Sequence, residues 1–210
     1  MRKGLVVVSL VLVGLLAASY AFAATLGSAL FEFDPTKTNH VAAAWVKGLG
    51  EADASGPNNF AVLVSKSIET AANASSGVVI TGAVGIVLNE PTSVLGFDIR
   101  DGSHCGAGAP RFNVVTMDGV LHFLGCQAAA STVTAVDGEP AIEPGWTRKK
   151  LTPSDLNQAF PAIPTDAISS TNTVSSIAIV FDEGTDQGVG FAILDNININ
   201  GVFLGRPGGQ

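Results

Sequence analysis

Short runs of apolar and β-branched residues, separated by glycine, proline, asparagine and serine, cover the chain from Ala29 onward. In several of these runs apolar and polar residues alternate, which is the pattern of strands that bury one face. The predicted strands are 30–33, 40–46, 60–65, 78–88 with a break at Gly82 or Gly85, 94–100, 111–116, 120–125, 131–136, 146–151, 176–182 and 189–199. So many short strands without alternating helices predict an antiparallel β-sandwich.

One short helix is predicted at 153–160. Thr152 can cap its first turn, and Pro153 occupies the first helical position, where a missing N–H costs nothing. Pro161 and Pro164 end it.

The clearest hairpin joins 111–116 to 120–125 through Asp118-Gly119, a dipeptide typical of tight turns because it accepts positive φ. If these two residues are the whole loop, Thr116 pairs with Leu121 and every second residue faces the core. The polar side of the hairpin then consists of Arg111, Asn113, Val115, His122 and Leu124.

The strand at 94–100 alternates in the same way and places Asp98 and Arg100 on its polar side. If this strand neighbours the hairpin, its polar residues extend the polar side of the hairpin. Trp146 follows a glycine and precedes three basic residues, so we expect it near the surface, where it could stack on a ligand. The predicted ligand-binding residues are therefore Asp98, Arg100, Arg111, Asn113, His122 and Trp146. The alternative is a solvated sheet face with a cross-strand ion pair, which stabilises a fold by only about 0.2 to 1 kcal/mol.

Cys105 and Cys126 are the two cysteines of the chain, and they bracket the hairpin. In an exported protein such a pair is predicted to form a disulfide. Closing a loop of this length should stabilise the fold by about 3 kcal/mol.

The N-terminus has the pattern of a secretory signal peptide. Met1-Arg2-Lys3 precedes an apolar run from Leu5 to Ala18, and Ala21-Phe22-Ala23 fits a signal-peptidase site. The alternative, a membrane anchor, needs about 20 apolar residues, and this run is shorter. We expect cleavage after residue 23, which leaves a single domain at 24–210 with no membrane span. The mature protein is expected to be secreted and extracellular, and the signal peptide is of the bacterial type.

The signal segment carries two basic residues and no acid, so the mature chain would have 9 basic and 18 acidic residues and a net charge of about −9. An acidic chain without a basic stripe argues against binding to nucleic acid or to anionic membranes.

The C-terminal sequence Leu194-Asp195-Asn196-Ile197-Asn198-Ile199 resembles the last strand of galactose-binding-like jelly-roll domains, a family that includes many bacterial carbohydrate-binding modules. The resemblance implies a jelly-roll sandwich, and it implies that Asp195 binds a structural calcium ion between the first and last strands. Asp195 is also in phase with Ile193, Ile197 and Ile199, so its carboxylate would need a partner on a buried face. Glu32 on the first strand, in phase with Leu30, could be the second calcium ligand. The alternative is that Asp195 accepts hydrogen bonds from loop amides at a strand edge.

Three function classes follow. The favoured one is a secreted, non-catalytic binding module for carbohydrate or another extracellular polymer, although the mature chain has no tyrosine and only two tryptophans to stack on sugars. The alternative is a structural protein that self-associates in an extracellular matrix or surface layer, which should show exposed apolar patches or pairable edge strands. A hydrolase has the least support, because no nucleophile–base pair, carboxylate pair or metal-ligand cluster has a recognisable spacing.

Overall fold

The computed structural model describes residues 25–52, 58–88, 93–151, 168 and 172–208. The predicted signal peptide at 1–23 and the predicted helix at 153–160 lie outside the described residues. No helix within the described ranges is long and apolar enough to cross a membrane.

The described residues form twelve strands and one short 3-10 turn, Cys126–Ala128. The strands are β1 Gly27–Phe33, β2 Val41–Lys47, β3 Phe60–Lys66, β4 Ser75–Thr81, β5 Leu95–Arg100, β6 Arg111–Thr116, β7 Leu121–Gly125, β8 Ala130–Thr132, β9 Trp146–Leu151, β10 Val174–Phe181, β11 Phe191–Ile199 and β12 Val202–Leu204. The run predicted at 78–88 ends early, because Gly82 and Gly85 both adopt positive φ and turn the chain after β4.

Two antiparallel sheets contain these strands. The first sheet has five strands in the order β1-β4-β10-β6-β7, and the second has the order β2-β3-β11-β5-β9-β8, with β12 paired to β11. Most consecutive strands cross from one sheet to the other, for example β3 to β4, β4 to β5 and β10 to β11, which is the winding of a jelly roll. The predicted all-β antiparallel sandwich is confirmed.

The core lies between the two sheets and is built from every second residue of the facing strands. Phe97 of β5 and Phe112 of β6 meet across it with ring centroids 5.7 Å apart. Trp45 of the edge strand β2 is partly buried and packs against this core. Each sheet therefore has an outer face that can carry polar residues without disturbing the core.

The hairpin between β6 and β7 exists, but its predicted register was wrong by one residue. Val115, not Thr116, pairs with Leu121. The loop has three residues rather than two: the Thr116 N–H donates to the Val120 carbonyl at 3.0 Å, and Gly119 alone of the loop residues has positive φ. This is the turn that ends in a glycine bulge. Because side chains alternate between faces, the shift turns the second strand over and directs His122 into the core.

The phase of β11 also differs from the prediction. Asn196 adopts a positive φ of 44°, and the pairing with β5 shifts between Asp195 and Asn198, which marks a β-bulge. Before the bulge Ala192 and Leu194 face the core, and after it Ile197 and Ile199 do. Asp195 is therefore on the outer face of the second sheet, directly opposite Asp98 of β5.

The disulfide between Cys105 and Cys126 is confirmed. It joins the segment before β6 to the 3-10 turn after β7, so both ends of the hairpin are covalently tied together. The segment between Cys105 and β6 lies at the edge of the cleft described next.

Candidate ligand-binding cleft

An open cleft of about 720 Å³ lies on the outer face of the five-stranded sheet. Its volume is within the range of small-molecule sites in proteins. Its floor consists of outward-facing side chains of three strands: Phe31, Phe33, Arg111, Asn113 and Val180. One wall is the segment 70–75 after β3, and the rim beside it contains Gly108, Asp182 and Glu183.

The aromatic part of the floor comes from β1. The Phe31 ring lies against Gly77 of β4, where any side chain would collide with it. Phe33 is 47% exposed at the same end of the strand. A half-exposed phenylalanine beside polar groups gives the cleft an apolar platform with hydrogen-bonding groups next to it.

The polar part of the floor is organised by Arg111 of β6. Its Nη1 and Nη2 atoms donate to Oδ1 and Oδ2 of Asp182 at 2.5 and 2.7 Å, and its Nε donates to Oδ1 of Asn113 at 2.9 Å. Its Nη1 also reaches the Gly108 carbonyl at 2.7 Å, and the guanidinium lies 4.9 Å from the centroid of the Phe123 ring. A two-bond pairing of this kind fixes the guanidinium plane and neutralises its charge.

The rim is fixed by Glu183. Its Oε2 lies 2.5 Å from Nε2 of His104, and its Oε1 accepts the Gly108 N–H at 3.0 Å. Gly106 and Gly108 fit there because a side chain at either position would meet the Glu183 carboxylate. Through these contacts the disulfide-closed segment is attached to the end of β10.

The wall is attached to the loop after β10 by Lys66, by Asp186 and by the Gly184 N–H, which donates to Oγ1 of Thr70 at 2.8 Å. Lys66, the last residue of β3, donates from Nζ to the carbonyls of Thr70, Ala72 and Asp182 at 2.9, 2.7 and 2.9 Å. Burial lowers the pKa of Lys66. Asp186 accepts the backbone N–H and the side-chain hydroxyl of Thr70 at 2.6 and 2.8 Å, and these hydrogen bonds lower the pKa of Asp186 to about 2.

Of the six predicted ligand residues, only Arg111 and Asn113 lie together in this cleft. His122 is buried on the inner face, with Nε2 3.4 Å from Oγ1 of Thr116, because of the register shift. Asp98 and Arg100 belong to β5 in the other sheet, so the expected neighbourhood with the hairpin was wrong. Trp146 is only 6% exposed, which contradicts its expected surface position.

Asp98 takes part in a buried charge network on the outer face of the seven-stranded sheet. Its two carboxylate oxygens accept from Nε and Nη2 of Arg148 at 2.7 and 2.6 Å, and Arg148 also contacts Glu139 at 3.0 Å. Asn196 bridges Asp98 and Glu51 through its amide group. Glu139 and Glu51 lie in loops, so loops rather than a sheet cover this face.

Glu51 is the most strongly perturbed acid of the network. It is 2% exposed, and its pKa is raised to about 8, first by burial, then by a hydrogen bond with Asp98 and by the nearby charges of Asp98 and Asp195. The raised pKa favours the protonated form of Glu51 at neutral pH, and that form can donate a hydrogen bond to Asp98.

The structure places Glu32 and Asp195, the predicted calcium pair, in different surroundings. Glu32 is exposed on β1 and accepts the Ala43 N–H at 3.0 Å, whereas Asp195 is buried on the other sheet and accepts the N–H groups of Glu51 and Asn196. Hydrogen bonds from amides were the alternative considered for Asp195. Among the described residues no group of three His, Cys, Asp or Glu side chains is placed to hold a metal ion.

The most important residues missed by the sequence reasoning are Lys66 and the two phenylalanines of β1. Lys66 is in phase with Val62 and Val64, so the alternation of β3 already directs a charged side chain inward. Phe31 and Phe33 alternate with Glu32, which predicts that the two rings lie on one face of the strand. The alternation does not indicate that this face is the solvent-accessible floor of a cleft.

The sequence matches no family model and no curated protein. Among solved structures it is similar to the Family 11 carbohydrate-binding module of the cellulosomal cellulase Lic26A-Cel5E of Clostridium thermocellum. The TM-score is 0.41 and the identity 16%, over 84% of this chain and 88% of that chain. The similarity concerns the course of the backbone and assigns a role to no residue.

Proposed function

We propose that this chain is a secreted, non-catalytic module that binds carbohydrate or another extracellular polymer in the cleft of the five-stranded sheet. The observation that carries the proposal is the combination of an exposed phenylalanine platform with the fixed Arg111–Asp182–Asn113 group in one open cleft. A pyranose ring has apolar faces formed by C–H groups and carries hydroxyl groups at its periphery. The phenylalanine platform can contact such a face while the fixed donors and acceptors beside it bind the hydroxyl groups.

Charge pairing within the cleft favours a neutral ligand. The Arg111 guanidinium is neutralised by Asp182, and Nζ of Lys66 is directed at carbonyls of the protein itself. A ligand that carried its own charge would have to displace one of these partners, which costs more than hydrogen bonding to a hydroxyl.

The test is retention of the mature protein on microcrystalline cellulose, chitin and insoluble xylan. Phe33→Ala removes the exposed ring of the platform, and we expect it to weaken retention by about tenfold, equivalent to about 1.4 kcal/mol. Phe191→Ala is the matched control, because Phe191 is 37% exposed but belongs to the other sheet. Its retention should equal that of the parent.

Calcium binding stays a prediction, and the same assay addresses it by comparing calcium with a chelator. Equal losses in both phenylalanine variants would contradict the assignment of the cleft. If the folded parent is retained on none of the polymers, the binding proposal is wrong, and its size distribution in solution then tests the structural alternative of self-association.

A further inference from the structure

Lys66 places a positive charge inside the protein. It is 1% exposed, and its side chain leaves β3 on the same face as Val62 and Val64, which belong to the core. An ammonium group buried in this way is strongly destabilising unless its N–H groups find acceptors. The position therefore demands an explanation other than packing.

The acceptors are three backbone carbonyls, at 2.7 to 2.9 Å from Nζ. An ammonium has three N–H donors, so its hydrogen-bonding capacity is completely used. Carboxylates do not serve as the direct partners: those of Asp182 and Asp186 act on the charge only at longer range. The arrangement is that of a cation held by carbonyl oxygens, with the cation supplied by the chain itself.

The three carbonyls belong to two separate parts of the cleft. Thr70 and Ala72 are in the wall, whereas Asp182 is at the rim and also pairs with Arg111 of the floor. The wall has few regular hydrogen bonds of its own, chiefly the turn bonds from Ala72 to Glu69 and from Ala74 to Ala72. Asp186 and the Gly184 N–H also hold Thr70 to the loop after β10, but only the Lys66 ammonium joins the carbonyls of Thr70 and Ala72 to that of Asp182.

We propose that Lys66 is a positioning residue of the cleft, whose ammonium group ties the wall to the Asp182 rim and so fixes the position of the wall. The consequence for ligand binding rests on the proposed function, but the positioning itself does not. Lys66→Met keeps the length and apolar body of the side chain and removes only the three donors. Lys66→Ala additionally leaves a space beside the three carbonyls.

The experiment is amide hydrogen exchange of the segment 67–75, read by mass spectrometry, together with retention on the three polymers. We expect exchange in this segment to rise at least tenfold in Lys66→Met while the peptides of β10 and β11 keep their protection. Retention should fall at least tenfold. The matched control is Lys47→Met, the same substitution at the exposed end of β2, which should change neither measurement.

Rescue by added cations separates the role of the charge from that of packing. In Lys66→Ala, methylammonium can donate three N–H groups to the vacated carbonyls, whereas tetramethylammonium has the charge but no donor. We expect methylammonium to restore the protection of the segment and tetramethylammonium to leave it unchanged. If Lys66→Met does not fold, this comparison still decides the question, since failure of both cations to restore protection overturns the proposal.

Two further results would overturn it: unchanged exchange of the segment in Lys66→Met, or an opened wall with undiminished retention. If the parent binds no polymer, only the proposed function is contradicted. The exchange and rescue measurements still test whether Lys66 positions the wall.

Discussion

Replacing Glu51 with glutamine should change how the stability of this protein depends on pH. The folded state raises the pKa of this carboxyl from 4.5 to about 8, because the group is buried beside Asp98 and Asp195. In the unfolded chain it titrates near its ordinary value. Between those two pH values the folded protein holds a proton that the unfolded protein has released.

The sign and size of the effect follow from that difference. The stabilisation from this group is complete below about pH 4.5 and is lost as pH rises through about 8, so the free energy of unfolding falls with increasing pH. The slope approaches 1.4 kcal/mol per pH unit for one proton, and the whole range amounts to about 5 kcal/mol. Glutamine imitates the protonated carboxyl, with an NH₂ group that can donate to Asp98.

The assay is urea unfolding at pH 5, 6, 7 and 8 for the parent, Glu51→Gln and Glu69→Gln. Glu69 is exposed, so its replacement controls for the loss of one acidic charge. We expect the parent and Glu69→Gln to lose stability steadily over this range, and Glu51→Gln to lose less, so that the variant becomes the more stable protein at pH 8. Parallel curves for all three proteins would refute the assignment of a retained proton to Glu51.

Three other outcomes test the architecture. Reduction of the disulfide should lower the free energy of unfolding by about 3 kcal/mol, measured by urea unfolding with and without reductant. Arg148→Met leaves the carboxylate of Asp98 buried without its cation and should cost about 3 to 5 kcal/mol, whereas adding Asp98→Asn should recover part of the loss; equal stability of the single and double variants would contradict the pairing. Because the pKa of Asp186 is lowered by Thr70, its hold on the wall should be lost only as pH falls from 3.8 toward 2, while Asp186→Asn should raise amide exchange of the wall at neutral pH.

The sandwich was predictable because apolar and polar residues alternate along each strand and so indicate which of its faces is buried. The runs around Phe97, Phe112 and Ile179 each place apolar residues at every second position, and the structure buries those residues. The disulfide was predictable as well, since Cys105 and Cys126 had no other partner of their kind. These are local signals that need no knowledge of which strands become neighbours.

The candidate site was predictable only in part, because it depends on details that alternation does not encode. The Asp118-Gly119 dipeptide fits both a two-residue and a three-residue loop, and the choice decides whether His122 faces the core. The bulge at Asn196 reverses the phase of the last long strand in the same way. Asp98 was expected to face solvent because the loops that cover its face of the sheet have no hydrophobic periodicity in sequence from which this cover could be predicted.

The hydrogen bond from the Ala43 N–H to Glu32 bears on whether another chain could pair with the edge of the seven-stranded sheet. β2 is an edge strand, and an edge strand offers free N–H groups to any other chain that can extend alongside it. The carboxylate of Glu32, which comes from the opposite sheet, already occupies one of those N–H groups. A strand that approached this edge would have to displace the carboxylate before it could pair there, so Glu32 disfavours extension of the seven-stranded sheet at Ala43.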